Sequence, residues 1–84
     1  MSKIDRREIA LTIAGELSDI TPPPRISDHT KVTVIECSLG KIEVTDNGVF
    51  VKTRRGVSVG WAHQESDGPK HSAVRCSILL RGVS

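Results

Sequence analysis

Apolar residues along this chain follow two periods, and the switch between them divides the fold. Over residues 5–18, Ile9, Ile13 and Leu17 recur every four positions, with Ala10 and Ala14 beside them and Ile20 just beyond. That spacing lines up one apolar stripe on a helix. Arg6, Arg7, Glu8, Thr12 and Glu16 mostly take the opposite side. Asp5 followed by Glu8 has the spacing of a capping box, which sets the helix start at Asp5. Gly15 weakens the helix by roughly 1 kcal/mol relative to alanine. Pro22, Pro23 and Pro24 end it, because proline lacks an amide donor and drives the preceding residue out of α geometry. Residues 21–30 therefore read as a stiff connector, extended by about 3.1 Å per residue where the prolines run together.

From Lys31 the period falls to two. Residues 32–37 read as a first strand, and residues 41–45 set Ile42 and Val44 on one face. Asp46-Asn47-Gly48 signals a hairpin, with Asn47 and Gly48 expected to supply the two positive-φ residues of a type I′ turn. Residues 49–53 return, Arg54-Arg55-Gly56 turns the chain again, and residues 57–61 set Val57, Val59 and Trp61 on one side. A polar loop is expected over residues 63–71, with Asp67-Gly68-Pro69 as its breaker. Residues 73–80 alternate so that Val74, Cys76, Ile78 and Leu80 share a face, which reads as the last strand. Connections this short make neighbouring strands antiparallel. The prediction is an α+β fold, a single domain over residues 1–84. One N-terminal helix packs on a four- to five-stranded antiparallel meander sheet spanning residues 31–81.

Composition narrows the function classes. A chain of 84 residues buries only roughly 60–65% of its unfolded surface, which leaves a thin core and little enclosed volume for a deep pocket. Phe50 and Trp61 are its only aromatic residues, so the core must be aliphatic and a stacking platform is lacking. Trp61, sharing a side with Val57 and Val59, belongs with the core. No apolar run approaches the ~18–20 residues of a membrane span. The first residues hold no apolar secretion segment, so a cytoplasmic location is expected. In that compartment Cys37 and Cys76 are expected as free, buried thiols.

Candidate chemistry is sparse. His29, His63, His71, Cys37 and Cys76 include no Cys-x2-Cys or His-x3-5-His pair, the spacings that pre-assemble half a zinc site. His63, Ser66 and Asp67 fall in one loop and Asp28-His29 in another, without a nucleophile elbow around any serine. Glycine-rich phosphate loops are missing. The expectation is a protein that is not an enzyme and needs no cofactor or metal.

What remains is surface recognition. The net charge is +2, from 12 basic against 10 acidic residues, weaker than the one-faced stripe of a dedicated nucleic-acid binder. Lys52, Arg54 and Arg55 nevertheless crowd one turn, and arginine is favoured at interface hot spots. The partner-binding candidates are Lys52, Arg54 and Arg55, with Gln64, Glu65, Asp67 and Lys70 of the polar loop. The expected partner is a larger protein or ribonucleoprotein, with no membrane role and with self-association into a homodimer compatible with so thin a core. The alternative is a DNA- or RNA-binding accessory protein using the basic β-turn, whose arginines neutralise phosphates. One small domain with no catalytic motif and no secretion signal is similar in type to the small inhibitors encoded by phages and mobile elements, anti-CRISPR proteins among them. That similarity implies a protein-binding inhibitor.

Overall fold

The computed structural model describes residues 4–63 and 68–82. Helix α1 (Arg6–Glu16) starts where the capping spacing predicts, with the Asp5 side chain accepting the Glu8 N–H at 3.1 Å. Five strands follow: β1 (Arg25–Asp28), β2 (Val32–Cys37), β3 (Gly40–Thr45), β4 (Gly48–Thr53) and β5 (Ser58–Ala62). A second helix, α2 (Pro69–Arg81), closes the fold. The strands form one antiparallel sheet in the order β1-β2-β3-β4-β5, so the α+β meander is as expected.

Register explains the layers. Ile26, Ile35, Ile42, Val51 and Val59 stand opposite one another across all five strands. Thr33, Val44, Val49 and Trp61 form the next row on the same face. Side chains alternate across a strand, so both rows point inward, where α1 and α2 cover them. The helices contribute Ile9, Ala10, Ile13 and Leu17 from α1 and Ala73, Cys76 and Leu80 from α2. Trp61 packs against this cluster, in keeping with the core role expected of it. The outer face carries Arg25, Glu36, Lys41, Lys52 and Ser58 in one row and Ser27, Val34, Glu43, Phe50 and Gly60 in another.

Three local expectations are corrected. Residues 73–80 are helical, and Pro69 and His71 of the expected loop belong to the first turn of α2. Cys76 and Leu80 are buried while Val74 and Ile78 are exposed, a division that period two forbids and period 3.6 requires. Pro69, read as a breaker, occupies the first helical turn, where its missing amide costs nothing. Gly82 adopts the left-handed conformation (φ 72°) that ends a helix, which a residue with a Cβ enters only under strain. Second, the expected connector contains β1, paired Ile26 to Ile35, and its Thr21–Pro22 peptide bond is cis. Tertiary pairing makes a strand of a segment with one apolar residue. Third, the β3–β4 hairpin turns on Asp46 and Asn47, and neither Asn47 nor Gly48 has positive φ. Thr45 Oγ1 accepts the N–H groups of Asn47 and Gly48 at 3.2 and 3.1 Å and thereby holds the turn.

The two helices run side by side in the same direction. Arg6, at the start of α1, donates to the Thr30 carbonyl at 3.1 Å beside the β1–β2 turn. Arg81, at the end of α2, donates to the carbonyl of Glu16 at 3.3 Å and to Asp19 at 2.5 Å, both just where α1 finishes. Both C-terminal ends therefore sit at the end of the sheet that carries the β2–β3 and β4–β5 turns.

Candidate functional site

That end gathers Arg54, Arg55 and Arg81, with Lys41 and Lys52 on the adjoining outer face. The β4–β5 turn is built by Thr53, whose N–H donates to the Val57 carbonyl at 2.8 Å while its Oγ1 accepts the Val57 N–H at 3.1 Å. Gly56 takes φ 91° inside it, and its N–H returns to the Thr53 carbonyl at 3.0 Å. The Arg54 N–H donates to the Leu39 carbonyl at 2.9 Å, docking this turn on the neighbouring β2–β3 turn. Two tight turns are thus fastened together, and Arg54 and Arg55 project from them exposed.

The cations here fall into two groups. Arg55 lies against Gly82 at the C-terminal end of α2, its guanidinium filling the space a Cβ would take. Arg81 covers the end of α1 from the neighbouring helix. Helix C-termini carry partial negative charge, so both arginines complement the dipoles of the helices they touch. Hydrogen bonding to Arg81 holds the Asp19 carboxyl below its ordinary value, and the same bond raises Arg81. Lys52 stands on the outer face directly opposite Lys41, and no ion pair among the described residues engages Lys41, Lys52 or Arg54. Like charges facing one another across a ladder are mildly destabilising, so this juxtaposition is not explained by the stability of the sheet. Phe50, 52% exposed, lies beside the lysines on the same face.

At the other end of the sheet two arginines are ion-paired. Arg7 pairs with Asp28, which also accepts the Thr33 hydroxyl at 3.0 Å, and Arg6 lies 3.7 Å from Asp46. A hollow of about 190 Å³ opens there between the helix starts and β5, lined by Asp5, Glu8, Trp61, His63 and Ser72. Its polar groups have structural duties: Asp5 caps α1, and His63 Nε2 lies 2.7 Å from the Thr45 carbonyl, which accepts from it in the tautomer that carries the proton on Nε2. The indole N–H of Trp61 is buried with no hydrogen-bond partner among the described residues, and its ring stacks under Arg75 at 4.5 Å. Among the described residues no group of three or more His, Cys, Asp or Glu is arranged to hold a metal ion. Cys37 and Cys76 are free thiols; burial pushes Cys76 up to about 12, and Cys37 is half-buried.

The structure therefore unites Lys52, Arg54 and Arg55 at one end, as their spacing implied, and adds Lys41 through cross-strand register. Lys70 is not part of this cluster: it lies on the first turn of α2, at the opposite end of the helical layer. Gln64, Glu65 and Asp67 lie outside the described residues. Lys41 was legible only once strand register was known, because a cross-strand neighbour is invisible to sequence spacing. In comparisons with known proteins, no family model, curated protein or solved structure matches this chain. No described helix is long and apolar enough to cross a membrane.

Proposed function

We infer that this chain is a non-enzymatic binding protein that covers an acidic surface of a larger protein or ribonucleoprotein with its basic end. The observation that carries this reading is the asymmetry of charge. Arg6 and Arg7 are ion-paired at one end, whereas at the other no ion pair among the described residues engages Lys52 or Arg54, and Lys41 faces Glu36 on one side and Lys52 on the other without closing an ion pair. The backbone that carries these cations, two strands and a fastened turn, loses little conformational entropy on docking, which favours a rigid contact. A small protein that occludes a surface acts as an inhibitor of whatever uses that surface, as phage-encoded inhibitors such as anti-CRISPR proteins do.

The test uses Lys52→Glu with Arg54→Glu, which spares Arg55 and its packing on α2. Wild type and variant, matched by circular dichroism, are used to capture partners from nuclease-treated lysate. The expected result is a protein recovered in stoichiometric amount by wild type and lost with the variant. Equal recovery by both would remove the basic end as the contact.

A second reading is favoured by Phe50, an exposed ring on an open sheet face, opposite Glu43 and one row from Lys41 and Lys52: a single-stranded DNA or RNA segment, with a base stacked on the ring and phosphates on the two lysines. It predicts oligonucleotide affinity that falls steeply with salt and drops with Phe50→Ala. Salt-independent binding would dismiss it.

A further inference from the structure

The two edges of the sheet are defended differently. β1 follows a run of three prolines and carries Arg25 and Asp28, the charges and breakers that keep an edge from pairing. β5 reads Ser-Val-Gly-Trp-Ala, with neither charge nor proline. Its outward groups follow from the ladder. The Thr53 N–H bonds to the Val57 carbonyl and the His63 N–H to the Asn47 carbonyl, and such pairs recur at every second residue. Val59 and Trp61 therefore turn their amides toward β4. Ser58, Gly60 and Ala62 direct N–H and C=O groups away from the sheet, and no described strand pairs on that side. The inward row that begins at Ile26 also stops unfinished, with Val59 half-buried.

We propose that β5 is a self-pairing edge, joining two copies of this chain antiparallel about a two-fold axis at Gly60. In that register Gly60 faces Gly60, and Ser58 faces Ala62 of the second copy, each pair exchanging both backbone hydrogen bonds. Val59 faces Trp61 of the second copy in a non-hydrogen-bonded pair, the closer kind, with Cα atoms roughly 4.5 Å apart. β-Branched and aromatic side chains are favourable partners there. On the outer face, the Phe50 ring already leans over Gly60, its Cδ1 2.6 Å from where a Cβ would stand. Two such rings approach the seam from either side, over a glycine pair that leaves them room.

Self-complementarity selects a second copy as the occupant. Within β5 itself the two-fold register sets apolar on apolar inside, small on small outside and no charge on charge, with Arg75 stacked on Trp61 on the inner side of each half of the seam. An axis perpendicular to the sheet keeps all four helices on one side and sends the two basic ends to opposite ends of one continuous sheet. The pairing stands independently of what those basic ends bind.

Sedimentation of the full chain from micromolar to millimolar concentration tests this, with two variants at the same positions. Ser58→Lys with Ala62→Lys places lysine opposite lysine twice, whereas Ser58→Lys with Ala62→Glu places lysine opposite glutamate. Wild type is expected to reach twice the 9.1 kDa chain mass. The lysine–lysine variant should dimerise roughly tenfold more weakly or worse, and the lysine–glutamate variant should recover to within a few-fold of wild type. A wild type that stays monomeric throughout would overturn the proposal and leave the edge to a strand from another protein. Dimerisation equal in both variants would overturn it as well. Should the lysine–lysine variant fail to fold, amide exchange on wild type decides: protection at Ser58, Gly60 and Ala62 must rise with protein concentration.

Discussion

Leu80 and Ile78 sit two residues apart near the end of α2, and truncating each to alanine separates the helical structure from the strand that alternation predicts. On a strand both would share one face and cost alike. On the helix Leu80 is 3% exposed in the core, while Ile78 is 46% exposed. Leu80→Ala removes three buried carbons, about 2.4 kcal/mol of transfer free energy at ~0.8 per methylene, and a residual cavity brings the loss to about 3 kcal/mol. Ile78→Ala removes three carbons that are about half in water, near 1.2 kcal/mol, and regains about 0.4 from the better helix propensity of alanine, for a net loss of ~0.8. A chain of 84 residues has about 4–13 kcal/mol in total, so the first change threatens the fold and the second does not. Urea denaturation followed by circular dichroism measures both. With a slope of about 1 kcal/mol per molar, the midpoint falls by ~3 M for Leu80→Ala and by less than ~1 M for Ile78→Ala. Equal shifts would refute the helical assignment and the burial argument with it.

Gly15→Ala should stabilise the protein by about 0.8–1 kcal/mol, because Gly15 is exposed in α1 with nothing within 4 Å of an added Cβ; a thermal melt should rise by roughly 4–8 °C, and no rise would mean that residue 15 is not in regular helix. Cys37 should react with a thiol reagent at neutral pH well before Cys76, whose thiol is pushed up to about 12 by burial; two equal fast phases under native conditions would contradict that burial. Arg81→Met should destabilise at neutral pH. The lowered Asp19 carboxyl makes the pair's contribution complete above the unfolded value near 3.8 and lost as pH falls through the folded value below it, so wild type and variant should converge once Asp19 is protonated in both. A stability difference that persists undiminished in acid would assign the effect to packing and to the Glu16 carbonyl contact instead.

Local chemistry alone determined α1 and the central strands. The Asp5–Glu8 spacing and the four-residue repeat of Ile9, Ile13 and Leu17 leave no second element that satisfies them, and the short period-two runs between Lys31 and Trp61, broken by turn residues, have one reading on a half-buried sheet. The same holds for Lys52, Arg54 and Arg55, which a single turn brings together because they are neighbours in the chain. Tertiary structure decided the rest. Residues 73–80 satisfy both periods: Val74, Cys76, Ile78 and Leu80 alternate, yet Ala73, Cys76 and Leu80 also fit one face of a helix. The inner face of the sheet settled the matter, since α1 packs over β1, β2 and β3 and leaves β4 to a second covering element. β1 exists because β2 offers it a ladder, and Ile26 alone could not announce it. Lys41 met Lys52, and the uncharged β5 became an edge, only through strand order. Periodicity reports which residues a segment must bury, but the partner that buries them is a property of the whole chain.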